Sequence, residues 1–436
     1  MSFKKLIFQS IIWRGFYFVS VLMLNVFIAR YFQASNSGSI YFIINALAFY
    51  LLPVSICLEA GIGYFTATKE IRIYKLANFS FFWALLIGSI ITIFLLIFGP
   101  GFSFLTQNKG NLFIPLYYLC GCMLTNYAIA IMYANRNFTL PNIVLILINF
   151  ALVAFLVLTR NNPGAKSIFI QLYFLGFLVQ GIILSIVLVA ENFEEWKLQL
   201  PGSREISKII RYSLQALAAN IIFFLVYRID YWFVSWYCSA ADLGNYIQVS
   251  KLVQIFLLIP IIIASVIFPY IASGKTKESV AQVKSICHLL CLLFSIACLF
   301  LAIAGMKLFP LLFGSSFDKM YEPFLLVIPG ILSLAIYTPV SAYFSGVNKV
   351  RMNIYSSCIG LVVIVVGDLI WIPKFGIRAA ALVSSIGYFT CLCFSIIAFM
   401  RIENASLSNI LLFDRQDFDY IKSIIKRNGK NSINES

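Results

Sequence analysis

Seven polar or charged side chains within long apolar runs mark the positions where this sequence could do chemistry. Four are cations or amides and three are acids: Arg14, Asn25, Arg228, Lys251, Glu59, Asp230 and Asp368. A charge inside a bilayer is costly unless it faces a cavity or a partner, so such residues indicate a site. Cations in a cavity suit phosphate oxygens, with which they form strong hydrogen bonds. We therefore predict that the cations and amides line a substrate cavity, and that the acids pack helices together or couple the site to an ion.

Arg228 and Asp230 lie two residues apart in the stretch "YRIDYWF". On a helix, side chains at this spacing do not face each other, so each of them needs its own partner. We predict that Asp230 pairs with Lys251 on the next helix while Arg228 faces the lumen. The alternative, that both side chains reach a nearby membrane surface, stays open.

Three other positions also have alternatives. Asp368 lies near the end of its apolar run, where its side chain could reach a membrane surface. Glu59 fits either an interface role or an ion pair with Arg14. Several turns of apolar residues flank both Arg14 and Lys251, which favours a cavity for these two cations.

Neither a metal site nor a nucleotide site is predicted. His288 is the only histidine, and helix packing explains the nearby Cys291 better than metal binding does. The chain contains no G-x-x-x-x-G-K-[ST] motif, so ATP is not a direct energy source. The ten cysteines lie almost entirely in apolar runs without C-x-x-C, which indicates small buried side chains rather than disulfides. We predict no cofactor.

The elements that must position these residues are membrane-spanning helices. Of the 436 residues, 61% are hydrophobic and 11% are charged, and the mean hydropathy is +0.93. Soluble domains are about a quarter charged. Apolar runs of about 18 residues or more recur along the chain, and each is long enough to cross the hydrocarbon of a bilayer. The phospholipid bilayer is therefore the predicted solvent.

Hydropathy predicts about twelve spans. They cover residues 8–33, 38–65, 76–99, 112–134, 141–159, 167–190, 207–236, 242–272, 282–306, 320–346, 352–372 and 377–401. The first run lacks the cleavage site of a signal peptide and is predicted to be a retained span. Lys and Arg are concentrated in segments on the side of the termini, so we predict that both termini are cytoplasmic. The net charge of +15 then reflects topology rather than nucleic-acid binding.

The two halves of the sequence resemble each other. The segment "FIARYFQASNSGSIYF" can be laid on "FVSWYCSAADLGNYIQ", and the shift that aligns Gly38 with Gly244 also aligns Tyr64 with Tyr270. An even number of spans per repeat gives both copies the same orientation, with the substrate path between them. We therefore predict an all-α polytopic membrane protein of about twelve transmembrane helices in two parallel six-helix lobes.

Four segments follow from this division. They are an N-lobe (1–190), a cytoplasmic linker (191–206), a C-lobe (207–401) and a cytoplasmic tail (402–436). The tail carries apolar residues at helical spacing beside basic residues, a pattern typical of an interfacial helix.

The C-terminal half carries a family pattern. The segment "YRIDYWFVSWYCSAADLGNYIQVSKLVQIFLLIPIIIASVIFPYIA" resembles the start of the second lobe in polysaccharide exporters of the multidrug/oligosaccharidyl-lipid/polysaccharide (MOP) superfamily. Its landmarks are Asp230, Gly244-x-Tyr246 and Phe268-Pro269, and "IPKFGIRAAALVSSIGYF" is similar to the signature of the last two helices. Within the superfamily, length and helix count favour the O-antigen flippase (Wzx) type, because the lipid II flippase type usually adds two C-terminal helices.

This resemblance implies the fold of the MOP superfamily and a function in a bacterial inner membrane. The implied activity is to turn undecaprenyl-pyrophosphate-linked oligosaccharide from the inner to the outer leaflet, for surface polysaccharides such as the O-antigen of lipopolysaccharide. It leaves open coupling to H⁺ or Na⁺ and contact with polysaccharide polymerase machinery.

Two alternatives compete with that function. Cation-coupled multidrug (MATE) exporters typically carry an acid in the first span, where this chain has Arg14 and Asn25 instead. Membrane glycosyltransferases and polymerases tend to use acidic catalytic residues in large external loops, and the first external loop, "QASNSG", has no acid. We therefore predict a transporter rather than an enzyme.

Overall fold

Helices account for every regular element in the part of the chain that the computed structural model describes, residues 3–98, 113–162, 164–272, 276–347 and 349–403. The α-helices are α1 (Phe3–Ser55), α2 (Leu58–Ala67), α3 (Ile73–Phe98), α4 (Ile114–Ala134), α5 (Thr139–Leu158), α6 (Ala165–Glu191), α7 (Ser203–Arg228), α8 (Asp230–Tyr237), α9 (Ala240–Ala272), α10 (Thr276–Phe313), α11 (Tyr321–Gly346) and α12 (Val350–Glu403). Short 3₁₀ helices cover Phe193–Glu195 and Ser315–Met320. The predicted tail lies almost wholly outside the described residues.

Ten segments of the described chain are long and apolar enough to cross a membrane. Two of them, Ile12–Ser55 and Val350–Glu403, are 44 and 54 residues long, and each is interrupted by one non-helical residue, Gln33 and Gly376 respectively. A span needs about 20 residues, so each of these long segments holds two of the predicted spans. The predicted all-α, multi-pass class is confirmed.

The second predicted span is not one continuous helix. It was expected over 38–65, but the helix ends at Ser55 and restarts at Leu58, with Ile56 at φ +52° and Cys57 at φ +50°. Pro53, just upstream, cannot donate a backbone hydrogen bond, which weakens the helix there. Side chains bond the carbonyl groups at the break: Trp83 Nε1 donates to the oxygen of Val54 at 3.1 Å, and the Tyr127 hydroxyl donates to that of Ser55 at 3.4 Å.

Packing groups the chain into two units, one of residues 1–224 and 312–314 and the other of residues 225–311 and 315–436. The two parallel lobes, with their boundaries at 1–190 and 207–401, stay a prediction. The boundary between the packing units falls within α7 rather than in the linker that precedes it.

The core of the first unit lies along α4, where Met123, Tyr127 and Ile131 are fully buried. Glycines allow α4 and α6 to approach closely: a methyl group added at Gly181 would lie 2.8 Å from the carbonyl oxygen of Gly121. Small residues at such crossings let helix backbones meet in a membrane, where van der Waals packing replaces the hydrophobic effect between helices.

The second unit is built around α11 and α12. Ser385 Oγ of α12 donates to the carbonyl oxygen of Leu326 at 2.6 Å and accepts from the N–H of Gly330 at 3.3 Å. Within α12, the parts before and after Gly376 pack on each other, since a methyl group added at Gly367 would lie 2.7 Å from Val383. This arrangement brings residues from both halves of α12 to one interior region.

Candidate functional site

Asp230 lies in the interior of the second unit, at the start of α8, and is 2% exposed. Its Oδ2 atom accepts hydrogen bonds from the hydroxyl of Tyr246 on α9 and from Ser384 Oγ on α12, the latter at 3.1 Å. Its Oδ1 atom is buried, and no hydrogen bond to it forms within the described residues. One oxygen of this carboxylate is therefore held by donors from two other helices, α9 and α12, while the other oxygen is left unsatisfied.

Asp368 of α12 is fully buried, and within the described part of the chain neither of its carboxylate oxygens accepts a hydrogen bond. It is close enough to Asp230 for the two charges to interact. An ionised carboxylate without a partner is strongly disfavoured in a low-dielectric interior. The two acids are therefore stable together only with a proton or with a cation between or beside them.

A small cavity of about 10 Å³ lies beside Tyr246 and Ser384, the two residues whose hydroxyls bond Asp230, and neither acid is among its lining residues. Its lining includes residues of α7, α9, α11 and α12, namely Tyr227, Tyr246, Val249, Ser250, Val253, Gln254, Val327, Ser384 and Tyr388. The volume is at the lower limit for one water molecule. It suits a single small occupant and excludes any organic substrate.

Arg228 and Lys251, two of the predicted substrate-binding cations, are neighbours in the second unit. Lys251 on α9 is partly buried and close enough to Arg228 for their charges to repel. Arg228 Nη2 donates to Gln254 Oε1 at 3.4 Å, and Gln254 Nε2 donates to the Tyr231 hydroxyl at 3.4 Å. The predicted pairing of Asp230 with Lys251 stays a prediction, since the hydrogen bonds described above come from Tyr246 and Ser384.

In the first unit, Arg14 lies against aromatic rings. Its guanidinium carbon is 4.7 Å from the ring centroid of Tyr133 and 6.0 Å from that of Phe138, at the junction of α4 and α5. Such cation–π contacts contribute about 0.5–2 kcal/mol, depending on how far the cation is desolvated. A guanidinium has five N–H donors, and a cation–π contact is not a hydrogen bond, so it leaves the group able to bind an anion.

Asn25 and Glu59, also in the first unit, differ in how their side chains are bonded. Asn25 Nδ2 donates to the carbonyl oxygen of Val21 at 2.9 Å, one turn earlier in α1. Glu59 lies in the first turn of α2, directly after the break, and its Oε2 atom is buried without a hydrogen-bond partner in the described chain. No ion pair joins Glu59 to Arg14 in the described residues.

The structure also identifies residues that sequence reasoning missed. Ser384 donates to Asp230, and Tyr133 contacts Arg14. The sequence around each of them does not differ from that around the many other serines and tyrosines of the apolar runs. Tyr246 was visible only as a landmark of the family pattern. Its role as a donor to Asp230 depends on a contact between α8 and α9 that residue spacing does not reveal.

Neither a family model nor a curated protein sequence matches the chain. Several solved structures, however, are similar to it. The chain is 14% identical to the lipid II flippase MurJ in an inward closed conformation, covering 95% of each chain with a TM-score of 0.71. It is 11% identical to an inward-facing MATE family multidrug resistance transporter of the MOP superfamily, covering 89% of this chain and 95% of that one with a TM-score of 0.70. For the Vibrio cholerae MATE transporter VcmN in its bent form, the identity is 13%, the coverage 94% and 98%, and the TM-score 0.64.

These likenesses define the class of fold. The chain has the MATE-like fold of MOP-superfamily transporters over nearly its whole length, as predicted. At identities this low, the comparison concerns architecture, and the cargo has to be argued from this chain's own residues.

Proposed function

We propose that this protein is a flippase that moves undecaprenyl-pyrophosphate-linked oligosaccharide from the inner to the outer leaflet of a bacterial inner membrane, in the synthesis of surface polysaccharide of the O-antigen type. The observation that carries the proposal is the position of Arg228, whose guanidinium donates to Gln254 at 3.4 Å, one turn along α9 from Lys251. An anion that meets two neighbouring cations in a low-dielectric interior is attracted by both of them. A pyrophosphate offers two adjacent anionic groups, and Arg matches phosphate oxygens with its planar fork.

The likeness to a lipid II flippase supports the same cargo class, because the fold can move a lipid-linked head group. In the proposed mechanism, the head group enters a cavity lined by Arg14, Asn25, Arg228 and Lys251, while the polyprenyl chain stays in lipid. Two lobes with parallel repeats would then open alternately to the two sides of the membrane. Both termini are cytoplasmic in this proposal, and polysaccharide polymerase machinery would receive the product.

We infer that the acid pair couples this cycle to H⁺ or Na⁺. Asp230 and Asp368 need a proton or a cation to be stable in the interior, and the small cavity beside Tyr246 and Ser384 has room for no more than one water molecule or small ion. Release of that ion would leave two unbalanced charges. This would favour a rearrangement of α8, α9 and α12, the helices that carry the acids and their hydroxyl donors.

A cation-coupled multidrug exporter is the second candidate. The buried acids and the MATE neighbours favour it, whereas the adjacent cations oppose it, because a cationic drug would be repelled. The two candidates differ in the charge of the cargo. Efflux of a cationic dye, measured beside polysaccharide export in the same cells, separates them.

The test is export of surface polysaccharide in a host that lacks its own flippase. Arg14→Gln, Arg228→Gln and Lys251→Gln should each reduce export about tenfold or more, because loss of a charge-assisted hydrogen bond costs about 1.5–3 kcal/mol. Lys374→Gln, at an exposed cation of α12, is the matched control and should export normally. Expression and melting temperature are measured in parallel, so that a folding defect is recognised. Full export by the triple variant would refute an anionic cargo bound at these residues.

A further inference from the structure

A cavity of about 250 Å³ lies in the first unit, and its lining includes neither the acid pair nor any of the four residues of the proposed substrate cavity. It is formed where α2 ends, α3 begins, and α4 and α6 end, and it is lined by Thr66, Lys69, Ile71, Arg72, Ile73, Tyr74, Asn135, Asn192 and Glu195. Drug-sized ligands occupy cavities of roughly 300–1,000 Å³. This cavity therefore suits a smaller group, such as a phosphate or a lipid head group.

The two cations of the cavity, Lys69 and Arg72, are available for a ligand. Within the described residues, neither side chain forms an ion pair or a hydrogen bond, and both are exposed. The neighbouring acids are already engaged: Glu205 pairs with Lys75 at 3.2 Å, and Glu70 pairs with Lys208 at 3.4 Å. The lining contains one acid, Glu195, beside the two cations.

Backbone geometry adds further donors to the same cavity. The chain leaves α2 through Thr68 in right-handed helical geometry and Lys69 at φ +57°, and it enters α3 at Ile73. Ile73 and Tyr74, both in the lining, are the first two residues of α3, so their N–H groups have no carbonyl partner within this 26-residue helix and lie at the positive end of its dipole. The amide of Asn135 contributes one more donor group to the lining.

We propose that this cavity is a phosphate-binding site, separate from the proposed substrate cavity and independent of the proposed function. The phosphate is either part of an anionic lipid head group or free in solution. The location at the ends of membrane spans, with Ile71, Ile73 and Tyr74 beside the cations, suits a group that enters from the membrane interface. In the predicted orientation this is the cytoplasmic leaflet, whose anionic lipids attract basic residues.

The test uses the purified full-length protein in a neutral detergent. Melting temperature is followed during titration with short-chain phosphatidylglycerol, with short-chain phosphatidylcholine and with inorganic phosphate, because a ligand of the folded state raises the melting temperature in proportion to its affinity. The lipid arm and the phosphate arm distinguish the two sources of the phosphate. Phosphatidylcholine carries no net charge and serves as the reference for non-specific lipid effects.

Two double variants and one single variant make the test specific. The double variant Lys69→Gln, Arg72→Gln should bind phosphatidylglycerol or inorganic phosphate tenfold or more weakly than the unaltered protein. Each lost charge-assisted hydrogen bond has about that effect. The change Lys197→Gln with Arg204→Gln removes the same charge from exposed positions outside the lining and should leave binding unchanged. Glu195→Gln should instead tighten binding of the same ligand, because it removes the negative charge from the cavity.

Each outcome decides the proposal. Binding of phosphatidylglycerol alone identifies a lipid head-group site, and equally tight binding of inorganic phosphate identifies a site for soluble phosphate. Wild-type affinity in the Lys69→Gln, Arg72→Gln variant, or an equal loss in the Lys197→Gln, Arg204→Gln control, overturns the site. Polysaccharide export plays no part in this measurement, so its result is independent of the cargo assigned above.

Discussion

Asp230 and Asp368 are both buried acids of the second unit, but their carboxylates are held differently. Asp230 receives two hydroxyl hydrogen bonds, from Tyr246 and Ser384, and these stabilise its ionised form. Asp368 receives none within the described chain. A bound proton or cation therefore matters more for Asp368, whereas Asp230 also serves to join α8 to α9 and α12.

This difference predicts opposite effects of two conservative changes on stability. Asp230→Asn should lower the melting temperature, because hydrogen bonds to a charged group contribute about 1.5–3 kcal/mol and those to a neutral group about 0.5–1.5 kcal/mol. Asp368→Asn should leave the melting temperature unchanged or raise it, because a neutral amide needs no bound proton or cation in the interior. Thermal unfolding of the purified variants measures both, with Asp318→Asn at an exposed acid as the control.

The same variants report on the ion. If Na⁺ binds at the pair, NaCl should raise the melting temperature of the unaltered protein above its value in choline chloride, and Asp368→Asn should abolish the difference. Equal melting temperatures in the two salts would assign the coupling to H⁺. A sodium effect that survives both acid substitutions would place the ion elsewhere.

At the scale of elements, the break between α1 and α2 is stabilised by side chains of α3 and α4. Ile56 and Cys57 both have positive φ, which costs an L-residue roughly 1–2 kcal/mol each. Hydrogen bonds from Trp83 and Tyr127 to the freed carbonyl groups offset part of that cost. The break therefore depends on α3 and α4 being packed against it.

Removing these donors should destabilise the first unit. Trp83→Phe and Tyr127→Phe together should cost about 1–3 kcal/mol for each carbonyl left unsatisfied, seen as a lower melting temperature. Tyr50→Phe, at a ring that is 47% exposed, also removes a hydroxyl and should have little effect. A melting temperature unchanged in the double variant would show that water satisfies the carbonyl groups instead.

These elements show which features a sequence can predict. The interruptions at Gln33 and Gly376 fall at the predicted span boundaries, because span length limits where a long apolar run must turn. Pro53 marks a weak point in the second span, but the break at Ile56 and Cys57 was not predicted, since both residues disfavour positive φ and tertiary contacts are needed to stabilise it. The charged residues could be singled out because charge is rare in spans. Their partners Ser384 and Tyr133 could not, because they come from distant parts of the chain.

At the scale of the whole molecule, orientation in the membrane stays a prediction from the distribution of Lys and Arg. It assigns the segment around Asn162, between α5 and α6, to the outside, and the segment around Lys197, between α6 and α7, to the cytoplasm. These two segments flank α6, a single span of 27 residues, so they must lie on opposite sides. To test the predicted orientation, it is therefore enough to find out which of these two segments lies outside the cell.

Labelling of intact cells with an impermeant thiol reagent answers that question. Asn162→Cys should be labelled in intact cells, and Lys197→Cys only after permeabilisation. The native thiol at Cys238 is partly exposed, so it is first replaced by Ser to lower the background. The reverse pattern of labelling would invert the predicted topology, and with it the leaflet assigned to the Lys69–Arg72 cavity.

The interruption at Gly376 also bears on how the chain is made. Asp368 lies in the first half of α12, and an acid within a span is unfavourable during insertion, with a cost that reaches about 2.5–3.5 kcal/mol at the centre of the span. The second half, which packs against the first at Gly367 and Val383 and supplies Ser384 to the acid site, leaves the ribosome later. The two halves of α12 are therefore best inserted as one helical hairpin, so that Asp368 meets protein before it meets lipid.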